Sequence, residues 1–495
     1  MLAEAEIGHR VDKQAFAKAA PSCREALIEA QYELSRSRRF AAVVLLSGVS
    51  GAGKSEAVNR LLTWMDPRYI ETLAIGRDET EEQRARPYMW RFWQILPPKG
   101  RITILFEHWY TLPLVQHTLG QMSDAELGKR LGEINRFERM LTDEGVLLVK
   151  FFLHITKKRL RQRLKELGSD PQTSWRVTRD DTRYVKNYKP LLKSVEEMLR
   201  LTSPGHAPWT VTEAADRRYR ELAIGQSLLA AMRTRLDTSP RSSSGNPATT
   251  LAVPAPDGRS VLSTLDFAKC VASPRAYPDQ LETLQGRLSA LTRDKAFAKH
   301  SLILAFEGND AAGKGGTIRR VAQGIDPRLY SIVPIAKPSD EEAARPYLWR
   351  FWRHIPRNGR VTIFDRSWYG RVLVERVEGL CSEADWRRAY GEIIDFEADL
   401  VASGAIVLKF WLAISKQEQL RRFKDRERRP FKRFKITKED WRNRERWDDY
   451  ERAVVEMVAR TSTDIAPWTL VEAEDKGFAH LKVLRTICER VEEAF

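Results

Sequence analysis

Cysteine is scarce: four residues in 495, at Cys23, Cys270, Cys381 and Cys488, far apart and without ligand spacing. That excludes a disulfide scaffold or thiolate metal site and fits inert thiols in a reducing compartment. Long apolar runs are missing too. No stretch approaches the roughly 20 residues that cross a bilayer, so the expectation is a protein with no membrane partner. The opening Met1-Leu-Ala-Glu-Ala-Glu6 is acidic where a secretory leader is basic and then apolar, which predicts a cytoplasmic location. Negative charge is in deficit: 67 Asp and Glu against 83 Lys and Arg leave a net +16. Such a surplus attracts polyanions without choosing among nucleic acid, anionic lipid and chains of phosphate.

What is present is a chain written twice. Arg86-Pro-Tyr-Met-Trp-Arg-Phe-Trp93 recurs as Arg345-Pro-Tyr-Leu-Trp-Arg-Phe-Trp352 with one change. Asp66-Pro-Arg68 recurs as Asp326-Pro-Arg328, Trp109-Tyr110 as Trp368-Tyr369, and Ala207-Pro-Trp-Thr210 as Ala466-Pro-Trp-Thr469. A period of about 260 residues marks a duplicated domain, not a solenoid. Ser239 to Ser260 is rich in Ser, Pro, Gly and Ala and reads as a linker. The expected domains are residues 1–235 and 263–495, joined by 236–262.

Within each copy, short apolar runs alternate with helical patterns. The runs are Val43–Leu46, Ile102–Leu105, Val146–Val149 and Trp209–Val211, then Leu302–Phe306, Val361–Phe364, Ile406–Lys409 and Trp468–Leu470. Alternation predicts an α/β fold: two tandem P-loop kinase-like domains, each a mainly parallel sheet flanked by helices, with a helical lid.

Gly48-Val-Ser-Gly-Ala-Gly-Lys54-Ser55 fits the phosphate-binding loop G-x-x-x-x-G-K-[ST] between a strand and a helix. Its glycines let backbone N–H groups converge on phosphate at a helix N-terminus. The second copy reads Gly308-Asn-Asp-Ala-Ala-Gly313-Lys314-Gly315, without the hydroxyl that holds Mg²⁺ in such loops. Asp310 inside the loop and Asp365 at a strand end are the substitutes, since two carboxylates plus phosphate oxygens and water suit Mg²⁺. Arg366 and Arg371 follow, with the planar fork that grips phosphate. Between Arg421 and Arg446 there are 13 Lys and Arg against 5 Asp and Glu, which predicts a mobile basic lid. In the first copy Asp310, Asp365, Arg366 and Arg371 become Ser50, Phe106, Glu107 and Leu112, and that copy is expected to be catalytically dead.

These motifs, with Arg444-Glu-Arg-Trp-Asp-Asp-Tyr450, resemble the polyphosphate kinase 2 family over nearly the whole chain. The tandem form is similar to the subgroup that transfers phosphate from polyphosphate to AMP. The resemblance implies an Mg²⁺-dependent transfer of a terminal phosphoryl group from inorganic polyphosphate to a nucleotide, AMP or ADP. It makes Asp310 and Asp365 the metal and catalytic acids, joined in catalysis by Lys314, Arg366 and Arg371. Gly308, Gly313, Gly315, Lys337, Lys432 and Arg433 form the phosphate-binding set. A homo-oligomer is expected, and no nucleic-acid partner. Three alternatives stay open: phosphorylation of ADP to ATP, an ATP-dependent nucleotide kinase, and a non-catalytic polyanion-binding protein. Gly315 and Asp310 count against the second, and the paired Asp310 and Asp365 against the third.

Overall fold

The computed structural model describes residues 2–75, 78–238, 261–271, 273, 275–429 and 436–495. The linker core, 239–260, lies outside them. The chain divides into two compact units. The first holds Met1–Glu79, Arg91–Ser242 and Pro338–Trp349; the second holds Thr80–Trp90, Ser243–Lys337 and Arg350–Phe495. Each unit therefore includes a short segment from the other half of the chain, which no composition shift in the sequence signals.

The first unit is built on β1 (Ala42–Gly48), β2 (Ile70–Ala74), β3 (Ile102–Glu107), β4 (Leu147–His154) and β5 (Trp209–Glu213), paired in the order β2-β3-β1-β4-β5. The second repeats this with β6 (Ser301–Gly308), β7 (Tyr330–Pro334), β8 (Val361–Asp365), β9 (Ala405–Ala413) and β10 (Trp468–Glu472), ordered β7-β8-β6-β9-β10. Every pairing is parallel. The α/β tandem fold expected from the alternation is what forms.

Burial explains which strands the sequence announces. All nine residues of β9 and the first seven of β6 are buried, as strands covered on both faces must be. Phe306 and Phe410 stack at 5.1 Å between ring centres, and burial of such a side chain is worth about 1.5–3 kcal/mol. Helices Tyr277–Leu291, Lys314–Gln323 and Lys476–Glu492 supply Leu284, Leu288, Ile318, Val321, Leu484 and Ile487 to the same core. The edge strands β2 and β7 are largely unburied and mixed in composition, which is why apolar runs do not reveal them.

In the second unit the chain leaves β6 for β7 and β8 on one side, then crosses to β9 on the other. Such a reversal of strand order opens a crevice at the carboxyl ends of the strands. Register places Phe306 beside Asp365 and Gly308 beside Leu412, so β8, β6 and β9 deliver their last residues to one edge.

Candidate active site

At that edge the β6 strand ends in Gly308, whose φ of 149° suits glycine and where a Cβ would lie 2.4 Å from the Leu412 carbonyl oxygen. The loop then turns into the helix Lys314–Gln323, aiming its N-terminus into the crevice. Lys314 Nζ donates to Gly308 O at 2.5 Å. Burial pulls its pKa below the usual lysine range, while Asp310, Glu307 and Asp365 act to hold the proton on.

Asp310 is fixed on three sides. Its Oδ1 lies 3.7 Å from Arg366 Nη2, its Oδ2 accepts from Asn443 Nδ2 at 2.9 Å, and its carbonyl accepts from Gln419 Nε2 at 3.2 Å. Tyr450 Oη donates to Asn443 Oδ1 at 3.2 Å, orienting that amide. Asp365 closes β8, and Arg366 follows with φ 64°, an uncommon left-handed conformation for a side-chain-bearing residue. The charges of Asp310, Asp365 and Arg366 all act on Lys314. The structure thus brings Asp310, Lys314, Asp365 and Arg366 together.

The remaining expected residues stand differently. Arg371 ends the short helix Trp368–Arg371 and pairs with Glu375 at 2.9 Å. Lys337 is exposed beyond β7, on the same carboxyl edge, and makes no hydrogen bond or ion pair among the described residues. Lys432 and Arg433 lie outside the described residues, as does most of the basic core of the expected lid. Several arginines flanking it make structural contacts. Arg442 pairs with Glu378 at 2.9 Å, and Arg444 Nη1 donates to Lys416 O at 2.6 Å. Arg422, on the helix Lys416–Arg428, donates to Ala311 O, Ala312 O, Ala473 O and Glu474 O at 2.8–3.0 Å, strapping the phosphate loop from behind.

Four features escaped the sequence reading. Asn443 and Gln419 lie far along the chain from Asp310, and no spacing rule connects them to it. Glu307 is buried behind the loop, where its Oε1 accepts from Ser367 N at 2.7 Å and Ser367 Oγ at 2.8 Å. Glu397 accepts from Trp368 Nε1 at 2.9 Å, Tyr369 Oη at 2.8 Å and Lys409 Nζ at 2.8 Å, all buried. The repeated Trp-Tyr pair was the visible signal of this last network; its carboxylate partner was not.

The corresponding edge of the first unit keeps the cradle and loses the acids. Lys54 Nζ donates to Gly48 O at 2.8 Å, but β3 ends in Phe106 and Glu107. His108 occupies the position of Ser367, and burial, with Lys54 and Lys150 adding to it, pushes its pKa down to about 3. The network below survives: Glu138 accepts from Trp109 Nε1 at 2.8 Å, Tyr110 Oη at 2.8 Å and Lys150 Nζ at 2.6 Å.

A family model described as polyphosphate kinase 2 matches residues 10–240 and again 271–494. The chain belongs to the polyphosphate kinase 2 family. A relative from Pseudomonas aeruginosa, named polyphosphate:AMP phosphotransferase, is 53% identical over 495 residues, covering 100% of this chain and 99% of its own. One of the same name from Acinetobacter johnsonii is 37% identical, covering 94% of each chain. A crystal structure of a polyphosphate kinase 2 from Pseudomonas aeruginosa superposes with a TM-score of 0.89 at 50% identity, covering 100% of this chain and 99% of that one. The family model matches each half by itself, and the tandem arrangement over the whole chain is shared with the two polyphosphate:AMP phosphotransferases. Among the described residues no helix is long and apolar enough to cross a membrane.

Proposed function

We propose that this polyphosphate kinase 2 is a polyphosphate:AMP phosphotransferase whose chemistry is carried by the second unit alone. The observation that carries this division is the meeting of Asp310, Lys314, Asp365 and Arg366 at one sheet edge, against Ser50, Lys54, Phe106 and Glu107 at the other. The transfer replaces one phosphoanhydride by another. A phosphate oxygen of AMP forms a bond to the terminal phosphorus of the chain while the bridging P–O bond breaks, and the shortened polyphosphate keeps that oxygen and its electrons. No covalent enzyme intermediate is needed, so catalysis is positioning and charge neutralisation.

Loop N–H groups after Gly308 and the helix N-terminus hold phosphoryl oxygens, and Lys314 and Arg366 offset the charge that spreads over them. Asp310 and Asp365 fit Mg²⁺ as hard oxygen donors; among the described residues no third His, Cys, Asp or Glu completes a cluster with them, so phosphate oxygens and water would fill the remaining positions. Bound there, Mg²⁺ would neutralise phosphate oxygens. Asn443 and Tyr450 orient Asp310. Arg371, Lys337, Lys432 and Arg433 complete the basic track for a long polyanion, with binding that weakens as salt rises.

The deciding experiment offers AMP and ADP separately to purified protein with Mg²⁺ and polyphosphate, resolving the products. AMP is the better acceptor by kcat/KM, and ADP the main product. More efficient conversion of ADP to ATP, or ATP outperforming polyphosphate as donor, overturns the assignment.

A further inference from the structure

Glu307 is a buried carboxylate with no part in the chemistry above, and it does not belong to the general design of the fold. In the first unit its position is Ser47, a side chain too short to span the same gap. Its partner changes too, Ser367 giving way to His108. The His108 ring turns to its own loop, Nδ1 accepting from Tyr110 N at 3.3 Å, and its backbone N–H donates to Thr111 Oγ1 at 3.0 Å. The neighbouring backbone differs as well. Arg366 has φ 64°, whereas its counterpart Glu107 is not among the described residues with positive φ.

These differences describe one device. A residue with a Cβ enters the left-handed region at a steric cost and stays there only when its surroundings hold it. Arg366 is held from both sides: its own N–H donates to Phe306 O at 3.0 Å, and the next residue is pinned through N–H and hydroxyl by the single oxygen Glu307 Oε1. Phe306 and Glu307 are consecutive on β6, so the strand that leads into the phosphate loop also sets the turn that presents Arg366. The chain bends immediately after Asp365, and the Arg366 side chain, 45% exposed, brings its Nη2 to 3.7 Å from Asp310 Oδ1. Ser367 is 1% exposed and Glu307 6%, so water does not compete for these bonds. A carboxylate buried without Lys or Arg in hydrogen-bond contact is costly, and its pKa is raised by burial. The Lys314 charge and the Ser367 hydrogen bonds oppose that shift.

We propose that Glu307 is a positioning residue for the reaction: through Ser367 it fixes the left-handed turn that aims Arg366 at the transferring phosphoryl group. The proposal rests on the reading of Arg366 as a phosphate ligand. The first unit, which has no arginine to aim, has neither Glu307 nor the turn.

The test combines Glu307→Ala, Glu307→Gln and Ser367→Ala with Arg366→Ala, each variant checked for fold by its thermal unfolding. Glu307→Ala lowers kcat roughly 30-fold with little change in the polyphosphate KM, because Arg366 counts most in the transition state. Glu307→Gln, whose amide oxygen still accepts both bonds, stays within about 3-fold of the native enzyme. Ser367→Ala, which keeps the backbone bond, falls between them. In the Arg366→Ala background, Glu307→Ala costs less than about 2-fold more, the non-additivity of groups acting as one. Overturning results are full activity of folded Glu307→Ala, equal losses from Glu307→Gln and Glu307→Ala, or multiplying losses in the double variant. Native activity in Arg366→Ala alone would instead reject the phosphate-ligand reading of that arginine, so the two failures are told apart.

Discussion

Both phosphate loops are strapped from behind by a buried arginine, but the two arginines come from different helices. In the second unit it is Arg422, on the helix Lys416–Arg428 that leads into the basic segment. In the first it is Arg220, on the helix Arg217–Asp237, donating to Ala52 O at 3.1 Å and Ala214 O at 3.4 Å. Ala52 and Ala214 are the counterparts of Ala312 and Ala473, so the same carbonyls are satisfied by another route. Arg163, the counterpart of Arg422, turns to Glu56 at 2.7 Å, which also accepts from Arg220 at 2.7 Å. One loop is thus tied to the segment flanking the site, the other to its own core. A loop needs its carbonyls paired whether or not it works.

The sharpest way to break this comparison is to remove the two loop lysines in turn. Lys314→Ala lowers turnover by three orders of magnitude or more, whereas Lys54→Ala leaves it within about 3-fold. Steady-state rates on folded protein decide, and comparable losses would place chemistry in both units. Next are the acids. Asp310→Asn and Asp365→Asn each reduce kcat by about 10²–10³, and excess Mg²⁺ does not restore it. Near-native turnover of either would remove it from the metal site.

A third test asks what the units share. Lys409→Met and Lys150→Met each leave a buried carboxylate, Glu397 or Glu138, without its cation. Each should cost about 3–5 kcal/mol in its own unit, read from hydrogen exchange of that unit's strands. If only one of the two variants loses protection in its own unit, the network is not a scaffold common to both. The smallest effect is expected with pH. His108 is held neutral, burial pulling its pKa from the usual imidazole value of 6.5 down to about 3, so the unfolded chain binds the extra proton between those values. The first unit therefore keeps this contribution above pH 6.5 and loses it on acidification, by up to about 1.4 kcal/mol per pH unit. His108→Ser should flatten that decline; an unchanged pH profile would show the imidazole reaches solvent.

Much of this was legible in the sequence, and the reason is locality. Strands buried on both faces are apolar runs, so β1, β3, β4, β6, β8 and β9 are readable, while the half-exposed edges β2 and β7 are not. Asp310 and Asp365 are singled out by the missing hydroxyl at Gly315, and the structure sets both near Lys314. The contacts that orient them were hidden. Asn443 reaches Asp310 from 133 residues away, and Glu307 falls just past the run read as a strand, Leu302–Phe306. Nor does any residue type announce a left-handed arginine, since its φ comes from partners on another strand.

Gly53 draws out a further consequence of the rerouted arginine. A Cβ there would lie 2.2 Å from Arg220 Nη1, while at Gly313 nothing stands within 4 Å. Both glycines have positive φ, but in the first unit a replacement must also push the Arg220 guanidinium away from Ala52 O and Glu56. Close packing against a side chain is thus a constraint on Gly53 separate from any need to admit phosphate. Read as text, the copy without the two acids spells the phosphate motif in full, with Ser55 where the other has Gly315.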